Sequence, residues 1–259
     1  QEGLSGYDFE LIVVDDGSED RTAELARGAG ATVLPQPVNR GYGASLKTGI
    51  QHASHDSIVI IDADGTYPVA PIPGLVSGLK EYEMVVGARV GANTSIPLVR
   101  RPAKKVLQWL ASYLAGRKIP DLNSGLRAMR RDLVSRYTHL LPSGFSFTTT
   151  ITLAALCRDH LVSYQKIDYR ARVGKSKIRP RHAFDFLVLI IRTVVYFNPL
   201  KVFLPVGAAF VFLGIIKTAY DVWMGDLSES AIFAFLAGGL VWMVGLLSDQ
   251  ISRMGAHPD

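Results

Sequence analysis

Between Lys201 and Asp221 only Lys217 carries a charge, and between Glu229 and Asp249 no residue does. As helices, residues 202–216 extended to Tyr220 and residues 230–248 would each cover roughly 28 Å, close to the ~30 Å hydrocarbon thickness of a bilayer. Both stretches are apolar all round, whereas a helix lying on a soluble core carries one apolar stripe. Two membrane-spanning helices are therefore expected, with a buried helical hairpin of a soluble protein as the alternative. The connection from Asp221 to Glu229 has three acids and no base, while Arg179, Arg181, Arg192 and Lys201 precede the first span and Arg253 follows the second. The positive-inside rule then puts the short connection outside, and the large N-terminal part and the C-terminus on the cytoplasmic face of the cell membrane. Lys217 is expected to snorkel toward the outer interface. Gln1 to Glu10 has no apolar core of a signal peptide, so the spans themselves are expected to direct insertion.

Just upstream, Phe184, Leu187, Val188, Ile191, Val194 and Val195 recur at helical spacing with Arg192 between them, and Asn198-Pro199 ends the run. This reads as an amphipathic helix lying on the membrane surface, with a soluble core helix as the alternative.

The first half alternates strand and helix signals. The apolar runs 11–14, 31–34, 57–61 and 84–86 are separated by polar loops and helical stretches beginning near Ala23 and Gly41. Such alternation predicts an α/β fold with a mainly parallel, doubly wound sheet, whose ligands gather beyond the carboxyl ends of the strands. Asp15, Asp16, Asp62 and Asp64 stand at those ends. The chain enters its first strand with no earlier strand to pair beside it, so a first strand and helix are expected upstream of this numbering.

Asp62-Ala63-Asp64 supplies paired hard-oxygen ligands of the kind that hold Mg or Mn against a diphosphate, or else a solvated turn. Asp15-Asp16-Gly17-Ser18 is equally compatible with a ligand loop and a helix cap. Asn39-Arg40-Gly41-Tyr42-Gly43 lacks the spacing of a dinucleotide fingerprint or a P-loop, and reads as a turn needing positive φ at Gly41 or Gly43. Residues 100–136 hold ten Lys or Arg against two acids, and residues 158–181 eight against two. With a net charge of +5 and a pI near 9.3, an anionic partner is expected. Membrane anchoring argues against nucleic acid. Cys157 is the single cysteine, which excludes an intrachain disulfide and a multi-cysteine zinc site.

In order along the chain, VVDDGSEDRT (13–22), NRGYGASLKTGI (39–50), IDADGTYP (61–68), VVGARV (85–90), DLNSGLRAMRR (121–131) and FSFTTTITLA (145–154) resemble the family-2 glycosyltransferases that load sugars onto polyprenyl phosphate, with the pattern of dolichyl-phosphate mannose synthases and bacterial relatives bearing a membrane hairpin. The resemblance implies a GT-A fold over residues 1–181, an interfacial helix at 182–198 and a transmembrane hairpin at 199–253. It implies an inverting transferase with a nucleotide-sugar donor, a polyprenyl phosphate acceptor and Mg or Mn. Asp15, Asp16 and Gly17 would meet the nucleobase, and Asp62 and Asp64 would hold metal and diphosphate, Asp64 also being a candidate base. Arg89 and Arg127 would position phosphate at the reacting centre, with Ser124 beside the acceptor. A second family arginine falls at Arg100 or Arg101, and Arg172, Lys175, Ser176 and Lys177 match a basic loop that closes over the donor.

Two departures stand out. The family's opening strand with a Pro-x-Tyr-Asn-Glu-like motif is absent, and Thr66 replaces a glutamine common in mannose synthases, which favours a UDP-sugar while GDP-mannose remains compatible. The rivals are a non-catalytic, membrane-anchored nucleotide-sugar binder and a processive synthase, the latter lacking its Gln-x-x-Arg-Trp motif here. Oligomeric state is left open, a homo-oligomer being compatible.

Overall fold

The computed structural model describes residues 4, 6–89, 101–144, 146–170, 181–225 and 228–254. The chain divides into two compact units, residues 1–189 and 190–259.

In the first unit β1 (Ile12–Asp15) and β2 (Thr32–Pro35) pair in parallel, joined through α1 (Thr22–Gly28). After α2 (Tyr42–His52) come β3 (Ser57–Ile60), α3 (Ile72–Gly78) and β4 (Met84–Arg89). The four apolar runs of the sequence thus become the four strands expected of them. Val and Ile dominate them because β-branched side chains suit a pleated, buried surface.

The chain continues through α4 (Arg101–Ala115), β5 (Arg127–Arg130), α5 (Arg131–Tyr137), α6 (Phe147–Cys157) and β6 (Val162–Ile167). The second sheet has the order β3-β5-β4-β6. β4 and β6 run parallel, whereas β5 is antiparallel to both of its neighbours. Because β5 enters from the carboxyl ends of β3 and β4, opposite Ile60 and Val86, its leading loop 121–126 is delivered to the end where Asp62 and Arg89 stand. That inverted strand is the topological feature that builds the site.

Tyr67, Ile72, Leu75, Leu79, Val85, Leu126, Ala128 and Ile167 form one core cluster, so α3 covers a face of the sheet with the side chains that its own strands present. On α6 every residue from Phe147 to Leu156 is buried, four threonines included. Buried hydroxyls call for partners: Thr149 and Thr152 find theirs beside the site, while the Thr150 hydroxyl has none among the described residues.

Helix α7 (Arg181–Phe197) follows the expected amphipathic segment, burying Ile190 and Val194 and exposing Phe184, Val188 and Ile191. In the second unit α8 (Leu200–Met224) and α9 (Glu229–Met254) form an antiparallel hairpin. Both are long and apolar enough to cross a membrane, and only 11% and 17% of their most apolar windows are buried within the chain. A core helix of a soluble protein would be mostly buried; these faces suit lipid, and the chain is membrane-associated. The helices approach through glycines seven apart. Gly207 faces Trp242 and Gly214 faces Phe235, while Gly238 faces Val211 and Gly245 faces Phe203. Small residues permit this approach where no hydrophobic force drives helices together in lipid. The Trp242 indole N–H donates to the Leu204 carbonyl at 3.1 Å, which satisfies the one polar atom of its ring.

The connection between α8 and α9 is shorter than expected, because α8 continues through Asp221 to Met224. Asp221 is a buried clamp: it pairs with Lys217 one turn before it and accepts hydrogen bonds from the Ser228 N–H and hydroxyl at 3.1 and 2.6 Å. Lys217, expected to snorkel toward that end of the helix, reaches this carboxylate one turn further on and lies 5.4 Å from the Tyr220 ring centroid.

Candidate active site

The site is built from the turns at the carboxyl ends of β1 and β3, from Arg89 at the end of β4, and from the loop that feeds β5. In the first turn the Asp15 carboxylate accepts the Ser18 N–H at 3.0 Å, and the Ser18 hydrogen bonds hold its pKa below the usual carboxylate value. Gly17 lies inside that turn with φ +77°. Asp16 points across to the next element. Its two oxygens accept the Arg40 N–H at 2.7 Å and the Gly41 N–H at 2.9 Å, so it caps the chain entering α2. Gly41 has φ +95°, the positive-φ turn expected here, and the turn aims Tyr42 at the neighbouring strand end.

Tyr42 carries the link onward. Its hydroxyl donates to Asp62 Oδ1 at 3.0 Å. Burial first, and then the charge of Asp62, push the Tyr42 phenol well above its ordinary pKa, which keeps it a donor at neutral pH. The other flank of Asp62 is Gly125: a Cβ there would collide with the Asp62 carboxylate, so only glycine permits this approach. The Gly125 N–H in turn donates to the Tyr67 hydroxyl at 2.7 Å. Asp64, exposed in the same turn as Asp62, accepts from the Thr66 N–H at 3.1 Å and the Thr66 hydroxyl at 2.5 Å. A hydrogen-bonded path therefore runs from Asp16 through residues 40–42 to Asp62, whose carboxylate packs against Gly125, and Gly125 is bonded in turn to Tyr67.

Arg89 ends β4 and is engaged by Asp121, which accepts from the Arg89 Nε at 2.7 Å, Nη2 at 2.9 Å and backbone N–H at 3.1 Å. Burial alone would lower the Arg89 pKa, but these contacts raise it above the ordinary value. The side chain keeps 19% of its surface exposed, and its guanidinium carbon lies 5.2 Å from the Tyr169 ring centroid. Tyr67 packs edge-on against Tyr169 at 5.1 Å, and the Arg170 N–H donates to the Thr66 carbonyl at 3.0 Å. The chain leading into the basic segment after Arg170 thus leaves from beside the acidic turn.

Two residues expected to meet substrate lie elsewhere. Arg127 is 0% exposed. Its Nε and Nη2 donate to the Ser124 carbonyl at 3.2 and 2.6 Å, and its Nη1 to the Thr148 carbonyl at 3.0 Å and the Thr152 hydroxyl at 2.9 Å. Burial pulls its pKa down. Ser124 is likewise fully buried, its hydroxyl donating to the Gly87 carbonyl at 2.5 Å. Both hold the 121–125 loop against β4 and α6, and neither opens onto solvent. Their burial follows from what surrounds them. Arg127 opens a strand enclosed between β3 and β4, where Ala128 and Met129 are buried as well, and the Thr148 carbonyl and Thr152 hydroxyl of α6 receive its guanidinium. Thr149 completes the bracing by donating to the Asn123 side-chain oxygen at 2.5 Å.

The side chain of Arg101 and the residues Arg100, Arg172, Lys175, Ser176 and Lys177 lie outside those described. Among the described residues no group of three or more His, Cys, Asp or Glu converges as a protein-only metal cage. Asp62 and Asp64 do fit Mg or Mn in its other common form, in which one or two carboxylates share the ion with substrate phosphates.

Sequence reasoning missed Tyr42, Tyr67 and Asp121. The asymmetry of Asn39 to Gly43 was the available signal for the first: one large aromatic between two glycines, where a mere turn has no need of one. Asp121 opens the motif that contains Arg127, and nothing local connects it with Arg89, 32 residues earlier.

Residues 1–138 match glycosyl transferase family 2, and residues 198–254 match the GtrB C-terminal hairpin. A dolichyl-phosphate hexose transferase of Haloferax volcanii is 33% identical over 172 residues, covering 65% of this chain and 74% of that protein. An undecaprenyl-phosphate 4-deoxy-4-formamido-L-arabinose transferase of Pseudomonas fluorescens is 28% identical over 277 residues, covering 96% and 76% respectively. Among solved structures, glucosyl-3-phosphoglycerate synthase of Mycobacterium tuberculosis in complex with Mn2+, UDP-glucose and glycerol 3-phosphate superimposes with a TM-score of 0.55 and 26% identity, over 75% of this chain and 72% of that one. The strand order, the acidic turns at the strand ends and these likenesses agree on a GT-A glycosyltransferase fold followed by two apolar helices. With the family pattern covering more than half of its residues, this chain belongs to glycosyl transferase family 2 and is a glycosyltransferase.

Proposed function

We propose that the chain transfers a sugar from a nucleotide-sugar donor, a UDP-sugar in preference to GDP-mannose, to polyprenyl phosphate with inversion at the anomeric carbon. The observation that carries this reading is the path joining Asp16, Asp62 and Gly125 at the strand ends, in a chain that also bears a GtrB-type membrane hairpin. Relatives whose names specify dolichyl- or undecaprenyl-phosphate transfer support the acceptor class.

In this reading Asp15, Asp16 and Gly17 meet the nucleobase side of the donor, and Asp62 with Asp64 holds Mg or Mn at the diphosphate. When bound, that cation would neutralise charge on the departing nucleoside diphosphate. Arg89, fixed in place by Asp121, presents positive charge toward phosphate. Arg101, Arg172, Lys175, Ser176 and Lys177 belong to the basic segments that would meet the substrates' anionic groups. Arg127 and Ser124 act through the loop they hold. Suppressing repulsion between two polyanions is the chief task, because the acceptor needs little activation: a phosphate monoester has a second pKa of about 6 and is largely dianionic at neutral pH. An acceptor phosphate oxygen then attacks the anomeric carbon as the bond to the diphosphate oxygen breaks, and the leaving group departs with its electron pair. Helix α7 would lie at the bilayer surface, with the first unit on the cytoplasmic face as the charge pattern of the flanks favours.

Full-length protein in detergent, given polyprenyl phosphate, Mg2+ or Mn2+ and a panel of UDP- and GDP-sugars, is expected to yield a glycolipid whose mass identifies the sugar. Failure to release nucleoside diphosphate with any donor would overturn the reading. Gly125→Ala tests its geometry. The added methyl displaces Asp62, so turnover should fall by about 10²-fold, the effect of a misplacement near 1 Å at a reacting centre. Overpacking should cost about 1–3 kcal/mol in a melting experiment, leaving the chain folded.

A further inference from the structure

We infer that Tyr42 is a positioning residue that sets the orientation of the Asp62 carboxylate, and with it the affinity of the acidic turn for a divalent cation. The inference rests on the reading of Asp62 as a metal and diphosphate ligand.

Tyr42 is the first residue of α2, and the tripeptide 40–42 touches both acidic turns. Its backbone N–H groups at Arg40 and Gly41 bind Asp16, and its side chain binds Asp62. The carboxylate of Asp62 is bounded on its other flank by Gly125, which leaves just enough room for it. A carboxylate on a short side chain can rotate about χ2 through a broad, soft range. Contact with the Gly125 backbone narrows that range, and a hydroxyl at 3.0 Å from Oδ1 selects one orientation within it. The Tyr42 ring is itself held by its place in the turn: Gly41 takes a left-handed conformation at the helix start, and its carbonyl accepts from the Ser45 N–H at 3.0 Å and the Ser45 hydroxyl at 3.2 Å. A rigid donor behind a ligating carboxylate is the arrangement in which outer partners tune metal affinity, and their loss commonly costs about 10–100-fold. Tyr42 differs from Tyr67, whose hydroxyl accepts the Gly125 N–H at 2.7 Å.

The test compares parent, Tyr42→Phe and Asp62→Asn as full-length chains in detergent. Mn2+ binding is titrated by electron paramagnetic resonance in the presence of UDP and, separately, GDP, alongside melting curves and steady-state kinetics. Tyr42→Phe keeps the ring and removes only the hydroxyl. It is expected to melt within a few degrees of the parent, to bind Mn2+ roughly 10–100-fold more weakly, and to lose kcat with little change in donor KM. Parent-like Mn2+ affinity in Tyr42→Phe, beside weakened affinity in Asp62→Asn, would overturn the inference while leaving the site reading intact. A raised donor KM with unchanged Mn2+ affinity would overturn it too, by making Tyr42 a donor contact. So would a large drop in melting temperature with unchanged affinity in the folded fraction, since that is a structural role. Parent-like Mn2+ affinity in Asp62→Asn, or an absence of Mn2+ binding by the parent with either nucleotide, would instead remove the reading beneath it.

Discussion

Asp64→Ala is expected to leave the chain folded in detergent and to abolish detectable sugar transfer. Asp64 is exposed and is tied to the rest of the protein through Thr66, so the lost stability is that of a turn, about 1 kcal/mol. The chemical loss is of another order. Removing a single preorganised group that stabilises developing charge costs about 10²–10³ in rate, and removing one of two carboxylates at a diphosphate site weakens cation binding as well. The assay is glycolipid formation across a Mg2+ and Mn2+ titration, with melting temperature as the folding control. Retained turnover with the parent's metal dependence would take Asp64 out of the mechanism.

Arg127→Ala should act in the opposite sense, on stability first. The guanidinium satisfies the Ser124 and Thr148 carbonyls and the Thr152 hydroxyl inside a fully buried space. Truncation strands the Ser124 carbonyl and opens a cavity, while the Thr148 carbonyl and the Thr152 hydroxyl keep their mutual bond at 2.7 Å. Each unsatisfied buried polar group costs about 1–3 kcal/mol, and the vacated volume adds to that. A total of roughly 4 kcal/mol or more follows, which for a unit of this size lowers the melting temperature by about 10 °C. Arg127→Met keeps much of the volume without the donors and should recover only the cavity part. Should Arg127→Ala melt like the parent and change only KM for the lipid phosphate, Arg127 would be the acceptor contact that the motif suggested and not a brace.

Arg127 also shows where a motif outruns its geometry. The string from Asp121 to Arg131 identifies a segment that matters, and the segment is indeed beside the acidic turn. Which of its side chains meets solvent depends on how β5 inserts between β3 and β4, an insertion that buries Arg127, Ala128 and Met129 alike. A tetrapeptide with arginine at both ends, Arg127-Ala128-Met129-Arg130, carries no strand signal of its own, because its apolar environment is supplied by neighbours distant in the chain. Asp121 and Arg89 form a pair for the same reason, and so does Tyr42 with Asp62. These contacts bridge 20 or more residues and exist only after the sheet has assembled.

Local physics was legible throughout. Charge-free runs long enough to span hydrocarbon, β-branched strands ending in acids, and glycines at a tight turn each report energies that depend on a few consecutive residues: transfer into lipid, pleat packing, allowed φ. From these alone came the two apolar helices, the α/β alternation and the acidic strand ends. The folded chain alone decided which acids and arginines face solvent and which are locked in pairs. It also showed that the turn before α2 serves both acidic loops. Those outcomes belong to tertiary contact, where a side chain's environment is set by residues far along the chain, and no window of sequence contains both partners.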